Sequence, residues 1–200
     1  LMFGLSSALA MGFSVQAAQF IGANDLKQAK NVYRQGILCI SLVSVLLMLA
    51  CFVITPNLPY WLGGKEDIAS DASWYFGICA ACLPLMMIGR LSSSMLKCTG
   101  NIRIPSIISI ITCVNDVIFN YIFIYIFHLG VIGAAIGSGV AYAIACIAET
   151  WYAGVYSKEI RFKGEKWSLR PEWGYLKNAA KISLPMAAQY ILIDGAQIVS

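Results

Sequence analysis

The stretch Cys113–Tyr125, CVNDVIFNYIFIY, is apolar and aromatic, yet it carries one carboxylate and two amides. Thr112, Asp116 and Asn120 recur every four residues, a spacing that puts all three on one face of a helix. Asn115 stands about 100° round from Asp116 on the same helix. Ser138, in the next apolar stretch, adds a hydroxyl. An ionisable side chain in hydrocarbon costs at least about 2.5 kcal/mol, so it must face protein or a water-filled cavity. Such a set of oxygen donors around one carboxylate suits a sodium ion. A carboxylate buried in an apolar setting would instead carry a proton. The competing role is structural, with Asp116 joining two helices as a paired or neutral acid.

Two further polar residues, Gln189 and Asp194, follow Pro185 in the last apolar stretch, and Asp194 is expected about as deep as Asp116. Their alternative is helix packing. Arg90 and Glu149 lie within seven residues of the ends of their stretches, where they are expected to snorkel or pair near the surface. Catalytic patterns are missing. The one histidine, His128, falls in a turn, and there is no metal-ligand cluster, phosphate loop or glycine fingerprint. Neither an enzyme nor a bound cofactor is expected.

The elements that must hold these residues are legible from composition. Of 200 residues, 59% are hydrophobic and 12% charged, against about 25% charged in a soluble domain. The apolar residues fall in six blocks, 1–22, 32–55, 73–96, 104–129, 131–156 and 182–200. Each approaches or exceeds the roughly 20 residues that cross a bilayer as a helix. The alternating segments of a β-barrel are absent. The fold class is therefore all-α, a polytopic transmembrane helical bundle. If the fourth block starts inside at Ile104, Asp116 lies about 18 Å up, in the membrane interior. The three residues His128–Gly130 force the fourth and fifth spans to be antiparallel neighbours. Ser138 then falls near the level of Asn120. Gly130, Gly133, Gly137 and Ala141 recur every three or four residues, a small-residue face for close helix packing.

The formal net charge of +4 reads as topology rather than nucleic-acid binding. Loops rich in lysine and arginine alternate with poor ones, which puts 23–34, 97–103 and 157–181 on the cytoplasmic side. The 157–181 stretch holds seven basic and three acidic residues and is expected to be a solvated linker, with a short interfacial helix as the alternative. Seven cysteines lie almost entirely within spans. Cys79 and Cys82 have a CxxC spacing, but with no second pair and no histidine near they are expected to be small apolar packers. The chain begins at Leu1 with no basic leader and stops inside an apolar block, so a piece of a longer protein is expected.

Four segments in consistent order resemble the multidrug and toxic compound extrusion (MATE) transporters. They are MGFSVQAAQFIGANDLKQAK (11–30), LKCTGNIRIP (96–105), VNDVIFNYIFIYIFHLGVIGAAIGS (114–138) and LKNAAKISLP (176–185). The resemblance implies helices two to seven of a twelve-helix, two-lobe antiporter. Residues 1–156 would be most of the amino-terminal lobe, 157–181 the cytoplasmic inter-lobe linker, and 182–200 the start of the second lobe. It further implies export of organic cations or amphipathic drugs in exchange for sodium or protons, by a multi-pass protein of the plasma (inner) membrane, expected as a monomer.

Carried over by position, the family's helix-five amide falls on Asp116, its helix-five carboxylate on Asn120, and its helix-six hydroxyl on Ser138. Acid and amide are thus exchanged across one turn. The family's helix-seven acid is matched only loosely by Asp194, nine residues after Pro185. Two rivals stand beside the antiporter. A flippase for lipid-linked oligosaccharides in the same superfamily would place several cations deep in this half, where only Arg90 is near. A non-transporting scaffold subunit has no reason to set acids at mid-depth on facing helices.

Overall fold

The computed structural model describes residues 2–55, 66–157, 160 and 173–199. Among the described residues six long helices follow one another: α1 Met2–Gly22, α2 Leu26–Ile54, α3 Glu66–Cys98, α4 Arg103–Tyr121, α5 Gly130–Val155 and α6 Trp173–Val199. In their described residues the six apolar blocks fall mainly on these helices, the fourth running past α4 through a π segment to the reversal at 127–129. Among the described residues, four stretches are long and apolar enough to cross a membrane: Leu26–Ile54, Ser73–Cys98, Arg103–Ile126 and Gly130–Val155.

The turns are short and chemically specified. Asn24 takes a left-handed φ of 60°, and the Asp25 carboxylate accepts a hydrogen bond from the Gln28 amide to cap α2. Gly100 turns the chain at φ 82°, and Asn101 Oδ1 accepts from the Ile104 amide at 3.3 Å as α4 starts. His128 and Gly130 are both left-handed, reversing the chain between α4 and α5 as the three-residue connection requires. Trp173–Lys181, expected to lie in the linker, forms the opening turns of α6. There Tyr175 packs edge-on against Phe20, with ring centroids 6.3 Å apart, and its hydroxyl bonds the Gln28 carboxamide. Of the expected linker, 158–159 and 161–172 lie outside the described residues.

Helix α3 is central and packs on α1, α2 and α5, while α4 hangs mainly on α5. The core between α1, α2 and α3 is apolar, with Phe13, Val32, Ile40, Met87, Leu91 and Met95 essentially excluded from solvent. One polar chain crosses it. Tyr33 OH lies 2.9 Å from Ser92 Oγ, and Ser92 Oγ lies 3.0 Å from Thr150 Oγ1. This chain links α2, α3 and α5 with every hydroxyl partnered, as burial demands. The outward faces are apolar, with Leu46 and Val53 on α2 and Ile110 and Val117 on α4 well exposed. That is the arrangement expected where hydrocarbon, not water, is outside.

Glycine sets how closely α5 approaches its neighbours. A Cβ at Gly133 would stand 2.8 Å from the Phe123 carbonyl oxygen, and one at Gly137 would run into the Asn120 side chain. On the other side, a Cβ at Gly89 of α3 would be 3.4 Å from the Cys146 Cα, and one at Gly139 would be 2.7 Å from Cys82 Sγ. Gly133 and Gly137 of the expected small-residue face thus meet α4 and its π turn, and Gly139, outside that face, meets α3. Gly130 meets neither. It serves the turn, with φ 54° and open space for 4 Å around the point where a Cβ would sit. Beyond Asn120, α4 widens into a π turn over Ile122–Ile126. The Phe127 amide reaches the Ile122 carbonyl, five residues back, at 3.0 Å.

Substituting Gly133→Val should lower stability by about 1–3 kcal/mol, because the clash is with backbone that cannot rotate away. Gly22→Ala, with nothing within 4 Å, should not destabilise. Thermal unfolding of the two variants in the same detergent checks this, and equal midpoints would contradict it.

Candidate functional site

The α4 stripe forms as the four-residue spacing requires, but its members meet different surroundings. Thr112 Oγ1 donates back to the Ile108 carbonyl at 2.7 Å, so only its lone pairs remain available. Thr112 and Asp116 line a cavity of about 280 Å³ between α3, α4 and α5. Asp116 Oδ1 is buried with no hydrogen-bond partner. One turn on, the Asn120 carboxamide lies against Gly137 of α5, and its Oδ1 is likewise buried and unpartnered. Both atoms are acceptors, and buried acceptors are normally satisfied. Two unsatisfied oxygens one turn apart therefore form a locus that would favour a cation or a proton.

Ser138 is next to Gly137, but it lines a second cavity of about 330 Å³ with Tyr75, Cys79 and Cys82. Tyr142 and Met86 contribute to both cavities and stand between them. Tyr75 is hydrogen-bonded to Cys79 and lies within electrostatic reach of Asp116 and Tyr142. Asp116 and Asn120 thus lie where α4 meets α5, whereas Ser138 lines a separate cavity between α3 and α5. Asn115 is half-buried and lines neither cavity. Gln189 is exposed on α6. Asp194 belongs to α6, and its side chain lies outside the described residues.

Cys79 and Cys82 are free thiols on the wall of the second cavity, and Cys82 packs against Gly139. Among the described residues, no three His, Cys, Asp or Glu side chains are placed to hold a metal ion.

Sequence reasoning has Glu149 and Arg90 snorkelling or pairing near the inner ends of their spans, and the structure adds that they share a cavity. Both line the Asp116 cavity. Glu149 is only 7% exposed, and Ser93 hydrogen-bonds its carboxylate. Gly89 of α3 lies beside it, with Glu149 Oε2 3.6 Å from where a Cβ would stand. Arg90 remains exposed and donates to Ser7 Oγ on α1 at 2.8 Å. Periodicity holds the signal: Tyr142, Ala145 and Glu149 fall at helical spacing on the α5 face that Ala141 shares. Distance from the end of the span conceals it.

The chain matches the MatE family over residues 1–122. Over 141 residues it is 26% identical to the probable multidrug resistance protein NorM of Listeria monocytogenes serotype 4b, covering 68% of this chain and 31% of that protein. Over 189 residues it is 24% identical to multidrug and toxin extrusion protein 1 of Danio rerio, covering 91% of this chain and 31% of that one. Its fold matches a MOP superfamily transporter from Pyrococcus furiosus at a TM-score of 0.90 and 19% identity, over 98% of this chain and 43% of that one. The chain therefore spans about a third of the length of these curated relatives. With more than half of its residues matched and its all-helical fold shared with solved members, this multi-pass membrane protein belongs to the MatE family, a family of transporters and not of enzymes.

Proposed function

We propose that this chain forms part of a secondary antiporter that exports organic cations or other amphipathic compounds in exchange for sodium ions or protons. The observation that carries the proposal is the pair of buried, unpartnered oxygens on Asp116 and Asn120. Each such atom is costly unless a cation or proton satisfies it. An ion that enters from one side and leaves on the other supplies the free energy for export, and the site must bind it reversibly. One carboxylate with neutral oxygens suits a monovalent cation better than a more highly charged one. Thr112 adds lone pairs on the same wall, and Ser138 and Asn115 are the remaining candidate ligands, Ser138 from the neighbouring α3–α5 cavity.

Residues 1–156 are read as most of the amino-terminal lobe, 157–181 as the inter-lobe connection and 182–200 as the start of the second lobe. Gln189 and Asp194 would then face a substrate cavity between lobes. Loops 23–34, 97–103 and 157–181 are assigned to the cytoplasmic side of the plasma (inner) membrane by their positive charge. The names of the bacterial and fish relatives, which refer to multidrug resistance and toxin extrusion, support export of drug-like cations. The cavity walls hold one cation, Arg90, beside two acids. That balance favours a cationic cargo over the anionic lipid-linked sugars of a flippase.

In cells expressing the full-length protein, Asp116→Asn should reduce efflux of a fluorescent organic cation at least about ten-fold, since a charge-assisted contact contributes roughly 1.5–3 kcal/mol. Collapsing sodium and proton gradients separately identifies the coupling ion. Wild-type efflux by a normally expressed Asp116→Asn protein would sink the assignment. Cys113 is exposed on the wall of the same cavity, whereas Cys51 is buried. In single-cysteine variants, a water-soluble methanethiosulfonate should label Cys113 at least about ten-fold faster, because thiol reaction follows access to the thiolate. Equal rates would mean that the cavity is closed to water.

A further inference from the structure

The Asp116 cavity has a second acid at its other end. Asn120 faces Gly137, so in these antiparallel helices Ala141 is level with Asp116, and Glu149, eight residues further, lies about 12 Å along the bundle. Glu149 is buried at 7% exposure and takes its hydrogen bond from a neutral hydroxyl, Ser93. The charged and titratable groups around it come from each packed element. They are Arg90 and, more remotely, Lys97 on α3, Tyr33 on α2, Cys146 on its own helix, and Asp116 on α4 across the cavity.

From this geometry we infer that Glu149 is a protonation site that sets how tightly the Asp116 end of the cavity holds a monovalent cation. The inference rests on the reading of Asp116 given above. With both acids ionised and Arg90 charged, the cavity walls carry one excess negative charge. When the Glu149 carboxylate takes a proton from water, that excess disappears, and the proton returns to water when the carboxylate ionises again. Two unit charges about 12 Å apart at an effective dielectric near 20 interact strongly enough to change an equilibrium about five- to ten-fold. The acid thus tunes cation occupancy without touching the ion.

The test measures sodium binding to the full-length protein in lipid nanodiscs by radiolabelled-ion equilibrium, from about pH 8 to about pH 5. At the upper end Glu149→Gln should bind sodium about five- to ten-fold more weakly than wild type. The gap should close as pH falls, because the wild-type acid is then neutral too. Ser93→Ala should move the pH at which the gap closes. A gap that stays constant with pH indicates a packing effect and overturns the inference, as do identical curves or a wild type that binds no sodium. Those results leave the antiporter reading standing if Asp116→Asn still abolishes efflux. If instead Asp116→Asn neither weakens sodium binding nor slows efflux, the earlier reading fails as well.

Discussion

Everything in this bundle follows from the absence of water outside it. Backbone groups in hydrocarbon must be bonded within their own segment, which is why every described element that crosses is a helix. Side-chain polar groups face the same demand and are turned inward. The Tyr33–Ser92–Thr150 chain meets it fully, and Glu149 meets it through Ser93. Asp116 and Asn120 do not meet it. Gln16 and Ser183 also hold buried side-chain atoms without a partner, so what sets Asp116 and Asn120 apart is that their two acceptors lie one turn apart on one helix face, with Asp116 on a cavity wall.

The second constraint is distance. Without a hydrophobic drive between helices in lipid, association depends on packing, and packing depends on how near two backbones can come. Helix α5 solves this on both sides at once, with Gly133 and Gly137 toward α4 and Gly139 beside Cys82 of α3. Because α5 is held close to both neighbours, the cavities lie at defined places where larger groups intervene. Tyr142 and Met86 form the partition between them. The stability of the α4–α5 contact and the shape of the candidate site are therefore set by the same residues.

Much of this is legible in the sequence, for physical reasons that can be named. Long apolar blocks in a chain with few charges have only one stable form in lipid, so the six helices can be read directly. The antiparallel pairing of α4 and α5 follows from a connection too short for any other course. A four-residue spacing places Thr112, Asp116 and Asn120 on one face whatever surrounds them. Depth along a helix, by contrast, does not reveal rotation about its axis. Nearness to an end gives the height of Glu149, while its burial depends on which way it faces from α5 toward the cavity beside α3. Ser138 follows Gly137 directly, yet it lines the α3–α5 cavity and not the one that holds Asp116, because adjacent positions on α5 point in different directions. The opening turns of α6 read as linker because Lys177 and Lys181 obscure the face formed by Tyr175 and Ala179.

The π turn at Ile122–Ile126 has a consequence for comparing this chain with its relatives. A π turn takes up an extra residue without breaking the helix, so the four-residue rhythm of Thr112, Asp116 and Asn120 stops at Tyr121. Positions on the two sides of it keep their order but lose their phase. A relative with an unbroken α-helix here would show the same side chain on the same face one residue earlier or later. Correspondences running from Asn120 through His128 to Ser138 must be drawn in space, because a gap-free alignment across this widening will pair residues that point in different directions.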